Sequence, residues 1–157
     1  MDQPAYETRA ARCEIWNERR SDGQNYGQER RRVLIVHAES NVGDSFALML
    51  AMRGYEAVQV GNVPGALQFA SEWHPQVVFV DTRIGSTQAS HDHALVRALR
   101  EQAQKLAWLE AQMMIAFASD ETSDPRDAML AAGYDGFVRT PCPIWRMFDL
   151  LRRYYAR

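Results

Sequence analysis

The chain has 157 residues, a formal net charge of -2 and 46% hydrophobic residues, enough for one domain with its own core and short for two. Near-neutral charge gives no electrostatic case for a nucleic-acid partner. No apolar stretch approaches the length of a membrane span, and Met1-Asp2-Gln3-Pro4 lacks the basic-then-apolar pattern of a secretion signal, so a cytoplasmic protein is expected.

Residues 1–31 are rich in Arg, Glu, Gln and Asn and poor in aliphatics. They read as a polar extension ahead of a domain at 32–157, either disordered or a weak helix. The helix would run from Ala5 to Arg20, with Tyr6, Ala10, Cys13 and Trp16 roughly on one face, and would end at Ser21-Asp22-Gly23. The run Arg30-Arg31-Arg32 reads as a solvated flank of the first strand.

From Val33 the pattern alternates. The first predicted strand, 33–37, is followed by a helix over about 42–53, with Val42, Phe46, Leu48, Met49 and Met52 apolar and Gly54 as its stop. Glu56 to Val60 is the second strand. Pro64 opens a helix reaching Ser71 or Trp73, and His74 before Pro75 marks its end. The third strand, Val77 to Asp81, is a β-branched and aromatic run stopped by an acid. A helix at Ala94–Leu109, a strand at Met113–Phe117, a helix at Pro125–Ala132 stopped by Gly133, a short strand at Phe137–Val138 and a last helix at Ile144–Tyr155 complete the chain. Ile144, Met147, Phe148, Leu150, Leu151 and Tyr154 mark the buried side of that helix. Five strands alternating with five helices predict an α/β, doubly wound, mostly parallel sheet. Ligands in such sheets gather at the carboxyl ends of the strands, where Asp81 and His37-Ala38-Glu39 fall.

The segments Arg32-Val33-Leu34-Ile35-Val36, Gly54-Tyr55-Glu56-Ala57, Pro75 to Asp81 and Ala131-Ala132-Gly133-Tyr134-Asp135-Gly136-Phe137, in this order and spacing, resemble the receiver domain of bacterial response regulators over roughly Arg32 to Tyr155. The resemblance implies a flavodoxin-like (βα)5 fold with strand order 2-1-3-4-5. It implies an aspartate nucleophile on the third strand, matched by Asp81, and an acidic pair after the first strand that holds magnesium. That pair falls on His37 and Ala38, with Glu39 the acid retained after it. Arg83 stands where a backbone carbonyl would complete the metal's coordination. The hydroxyl position falls on Ala118, with Ser119 adjacent, and the lysine position on Thr140; Lys105, the only lysine, lies on a helix and cannot substitute. The switch aromatic is matched by Phe137. Losing a metal-binding carboxylate at Ala38 and the phosphate-gripping cation at Thr140 removes two electrostatic contributions together.

An atypical, stand-alone receiver acting by protein–protein contact is therefore the expected function, with no turnover. Magnesium is expected only if Asp81 is phosphorylated. The resemblance implies a histidine kinase, a phosphotransfer protein or a downstream target as partner. It also implies a homodimer through the face made by the fourth helix, fifth strand and fifth helix, where any exposed member of Trp145, Phe148, Tyr154 and Tyr155 would favour an interface. The alternatives are a genuine phosphoacceptor at Asp81 and a small flavodoxin-like ligand binder or enzyme using Asp81 with His37. His91-Asp92-His93 could join those two in a transition-metal site, but the solvated-loop reading is stronger and no metal site is expected. Ser119 to Pro125 reads as the cap of the fourth helix. The two distant thiols, Cys13 and Cys142, form neither a disulfide framework nor a metal knuckle.

Overall fold

The computed structural model describes residues 13–17, 31–84, 93–106, 112–118, 126–139 and 144–155. The elements in chain order are β1 (Cys13–Ile15), β2 (Arg32–Val36), α1 (Ser40–Ala51), β3 (Glu56–Val60), α2 (Val63–Trp73), β4 (Val77–Asp81), α3 (Ala94–Leu106), β5 (Met113–Ala118), α4 (Arg126–Ala132), β6 (Gly136–Arg139) and α5 (Ile144–Tyr155). One sheet runs β1-β6-β5-β4-β2-β3. The five strands from β2 onward pair in parallel, in the order expected of a flavodoxin-like sheet. β1 adds a sixth strand, antiparallel to β6.

Parallel strands covered on both faces must be apolar throughout. Accordingly Val33 to Val36 and Val77 to Val80 are all buried. Strand alternation splits them into two cores. Val33, Ile35, Val77, Phe79, Met113, Ile115 and Phe117 pack with Phe46 and Leu50 of α1 and with Met147, Phe148, Leu150, Leu151 and Tyr154 of α5. Leu34, Val36, Val78, Val80, Met114, Ala116 and Phe137 face Ala66, Ala70, Val96, Leu99 and Met129 on the other side.

Helix ends follow local chemistry. The Asn62 side chain accepts the Gly65 N–H at 2.7 Å, with Pro64 in the first turn of α2. His74 closes that helix in the left-handed region at φ 57°, the helix-end role expected of it. Gly54 and Gly133 adopt φ 95° and 123° after α1 and α4, a conformation that costs glycine little. Asn62→Ala is expected to lower stability by about 1 kcal/mol in urea unfolding.

Three expectations change. The helix expected over 5–20 is replaced at residues 13–15 by β1, because the β6 edge supplies backbone partners that an isolated polar helix lacks. The sheet has six strands, not five, for the same reason. On α1 only Phe46, among the apolar residues that suggested the helix, is buried; Val42, Leu48, Met49 and Met52 are exposed, and Leu50 fills the core instead. The inner face expected for α5 is observed, with Ile144 half-buried and Trp145 exposed.

Candidate functional site around Asp81

Parallel register places the site. Val36 at the end of β2 pairs with Val80, so the loop His37-Ala38-Glu39 leaves the sheet beside Asp81, the last residue of β4. Phe117 of β5 lies opposite Asp81 on the other flank. Asp81 and His37 are both buried, whereas Ala38 and Glu39 are exposed.

Both carboxylate oxygens of Asp81 are engaged. Oδ1 accepts the backbone N–H of Arg83 and its Nε–H, each at 3.0 Å. Oδ2 accepts Arg83 Nη2–H at 2.8 Å and the backbone N–H of Ala38 at 3.0 Å. The guanidinium fork thus grips the carboxylate with two parallel bonds, a geometry lysine cannot supply. Burial pushes the Asp81 carboxyl up, but the Arg83 side-chain bond, the two backbone N–H groups and the guanidinium charge outweigh it, so the group titrates below the ordinary aspartate value. The same hydrogen bond, opposed by some burial and helped by the charges of Asp81 and Glu39, raises Arg83 above its ordinary value.

His37 Nδ1 accepts the backbone N–H of Glu39 at 3.0 Å, so that nitrogen carries no proton. Its 3.7 Å approach to Asp81 Oδ2 is consequently neither a hydrogen bond nor an ion pair. The ring is wedged edge-on against Phe117, with centroids 5.7 Å apart, and its backbone carbonyl accepts from Gln59 at 3.0 Å. His37 is therefore a packed element of the loop.

The site is a poor match to magnesium as it stands. A hard divalent cation needs several oxygen ligands. Here a guanidinium lies against the carboxylate such a cation would share, Ala38 offers no side-chain oxygen, His37 offers nitrogen, and the exposed Glu39 and the Arg83 carbonyl are the oxygen donors left beside Asp81. Arg83, expected to matter through its carbonyl, also turns its side chain onto Asp81. The hint in the sequence was an arginine two residues past an acid at a strand end, close enough to fold back.

The other expected positions are spread along the same edge or lie outside the described residues. Ala118 ends β5 with its Cα paired to Arg139. Phe137 is buried in the β6 face beneath Trp16, ring centroids 5.5 Å apart, and the Arg139 guanidinium sits 4.9 Å from its ring centre. Arg139 thus stays on the face of Phe137, as alternation requires. His93 is buried edge-on to Tyr134 at 5.4 Å. Among the described residues no group of three or more His, Cys, Asp or Glu could hold a metal ion. Ser119, Thr140, His91, Cys142 and the segment 119–125 are outside the described residues.

The expected dimer face proves to be partly covered. β1 pairs Cys13, Glu14 and Ile15 with Val138, Phe137 and Gly136, so the outer edge of β6 already holds a strand. Trp145 at the start of α5 remains 57% exposed.

Comparison with known proteins agrees with this fold. No known family model matches the sequence. The transcriptional regulatory protein KdpE of Mycobacterium tuberculosis is 31% identical over 109 residues, which are 69% of this chain and 44% of that protein. The chain therefore spans less than half the length of the curated relatives it matches. The signal receiver domain of a signal transduction histidine kinase from Syntrophus aciditrophicus is 26% identical, with a TM-score of 0.62 over 78% of this chain and 88% of that one. The receiver domain of the sensor histidine kinase PA1611 from Pseudomonas aeruginosa, with magnesium coordinated in its active-site cleft, is 18% identical, with a TM-score of 0.62 over 80% and 97%. The receiver domain of Ssk1 from Saccharomyces cerevisiae, crystallised with the phosphotransfer protein Ypd1, is 12% identical, with a TM-score of 0.67 over 80% and 89%. This chain has the flavodoxin-like fold of response-regulator receiver domains, and over 109 residues its sequence is similar to a regulator of that family. Among the described residues no helix is long and apolar enough to cross a membrane.

Proposed function

We propose that this chain is an atypical receiver that signals through protein–protein contact in the cytoplasm, with Asp81 held in an internal ion pair instead of a magnesium-dependent phosphorylation cycle. The observation that carries this reading is the two-pronged grip of Arg83 on Asp81, at 2.8 and 3.0 Å. A permanent cation on the side chain fills part of the electrostatic role that metal and lysine share elsewhere in the family. The carboxylate is thereby less available both as a metal ligand and as a nucleophile. Exposed Val42, Leu48, Met49 and Met52 on α1 give the domain an apolar surface suited to a protein partner such as a histidine kinase, a phosphotransfer protein or a downstream target.

One observation favours the second reading, a genuine phosphoacceptor at Asp81. The Arg83 side chain is 50% exposed and can swing off the carboxylate at modest cost. Treatment with acetyl phosphate or phosphoramidate, with and without magnesium, separates the two by intact mass. No gain that depends on both magnesium and Asp81 is expected. A magnesium-dependent phosphoryl adduct that disappears in Asp81→Asn would restore the phosphorylation switch. A small-molecule enzyme draws no support from the groove of about 140 Å³ found among the described residues, which is lined by β1 and α5 residues such as Cys13, Ile15, Trp145 and Asp149.

A further inference from the structure

We infer that residues 13–17 are a built-in mask, which closes the β6 edge to a second copy of this chain until it peels away. The inference stands on the geometry of β1 and β6 and is independent of whether Asp81 is ever phosphorylated.

The seat is shaped for a strand. Gly136 leaves room that no other residue would: a Cβ there would lie 2.3 Å from the Glu14 carbonyl oxygen and 3.0 Å from the Ile15 Cα. Beyond the strand pairing, the Asp135 carbonyl accepts the N–H groups of Trp16 and Asn17 at 2.8 and 3.0 Å. The Asp135 carboxylate accepts the Asn17 amide at 3.0 Å. Trp16 lies over Phe137, and its indole N–H donates to Glu14 at 2.8 Å. The segment therefore covers backbone and aromatic of β6 together.

The hold is small. On the Trp16 side the contact is an aromatic pair and a set of hydrogen bonds. On the other side Cys13 and Ile15 rest half-buried against the core that includes α5, with a groove of about 140 Å³ between strand and helix. A three-residue edge strand opens at a low free energy compared with the buried parallel strands.

An uncovered edge strand is a template for another chain. β6 receives β1 antiparallel, and antiparallel is the one orientation in which two copies of β6 can pair across a two-fold axis. Trp145 on α5 and Leu130 on α4 are already exposed on the helices either side of β6 in sequence. With the mask gone they would be joined by the Phe137 ring that Trp16 now covers. The second copy is therefore the occupant this edge fits, and cis strand and trans copy exclude each other.

Two full-length variants test this. Cys13 and Val138 are direct antiparallel partners, a spacing that a disulfide can bridge. Val138→Cys, combined with Cys142→Ser, is expected to oxidise to a cross-link within one chain. Failure to oxidise, or a cross-link between chains, overturns the cis mask. Glu14→Pro with Trp16→Ala breaks the mask without touching the parallel core. Amide exchange over 137–139 is expected to rise about tenfold or more. Sedimentation velocity is expected to shift from a monomer to a concentration-dependent dimer. A double variant that stays monomeric at high concentration, or a wild-type protein already dimeric through β6, overturns the proposal.

Discussion

Arg83→Ala is expected to destabilise the domain by about 1–2 kcal/mol at pH 7 and to weaken the pH dependence that Asp81 contributes. The magnitude follows from what remains. Removing one partner of a buried charge-assisted bond leaves the other to meet its desolvation cost. The backbone N–H groups of residues 38 and 83 still serve the carboxylate, and the guanidinium lost was half exposed and screened, which keeps the cost at the low end. The sign follows from linkage. In the wild type the folded Asp81 titrates below the unfolded value, so its contribution is present above about pH 4 and is lost as pH falls through the folded pKa. Without the Arg83 side chain, burial is opposed only by the two backbone N–H groups, so the folded carboxyl titrates higher than in the wild type. The variant therefore has less to lose on acidification than the wild type. Urea midpoints at pH 7, 5 and 3.5 should show the gap between wild type and variant narrowing on acidification. A gap independent of pH would mean that the two side chains do not pair in solution.

The parallel framework was legible because its physics is local. A strand buried on both faces has to be an apolar run, and Val33–Val36, Val77–Val80 and Met113–Phe117 are such runs; between the first two, Gly54 and the αL residue His74 stop α1 and α2. Strand order came with the resemblance. β1 was not legible: Cys-Glu-Ile is too short to carry a period, and the spacing of Tyr6, Ala10, Cys13 and Trp16 happened to suit a helix. Its true determinant lies some 120 residues away, in the missing Cβ of Gly136 and the acceptors of Asp135. The apolar residues of α1 misled in the other direction. Val42, Leu48, Met49 and Met52 imply burial by composition, but only one stripe of a helix can face the sheet. At the site, the assignment of Ala38 and Thr140 to the family's acid and lysine positions rests on the resemblance alone. The grip of Arg83 on Asp81 could not be read at all, because it depends on a side chain folding back two residues onto its own strand end.

Asp135→Ala is expected to be the most damaging single change proposed, at about 3–5 kcal/mol. Asp135 sits in the turn that feeds β6 and is only 1% exposed. Its Oδ2 accepts the Met114 backbone N–H at 2.9 Å and Arg100 Nη2–H at 2.8 Å, while Oδ1 serves Asn17. Arg100 in turn donates to the carbonyls of Gly133 and Gln112. One carboxylate thus ties α3, the start of β5, the turn after α4 and the β1 segment. Truncation removes the carboxylate that the half-buried Arg100 guanidinium shares with β5 and deprives a buried strand N–H of its side-chain acceptor. Apolar truncations elsewhere on the surface carry no such penalty, because water replaces what is lost there. The measurement is the urea midpoint at unchanged slope, with amide exchange read at residues 13–17 and 136–139. Loss of stability with early exchange at both segments is the expected pattern. A full loss of stability with β1 still protected would show that the mask is held by Trp16 and Gly136 alone, and would separate the anchoring of β6 from the covering of its edge.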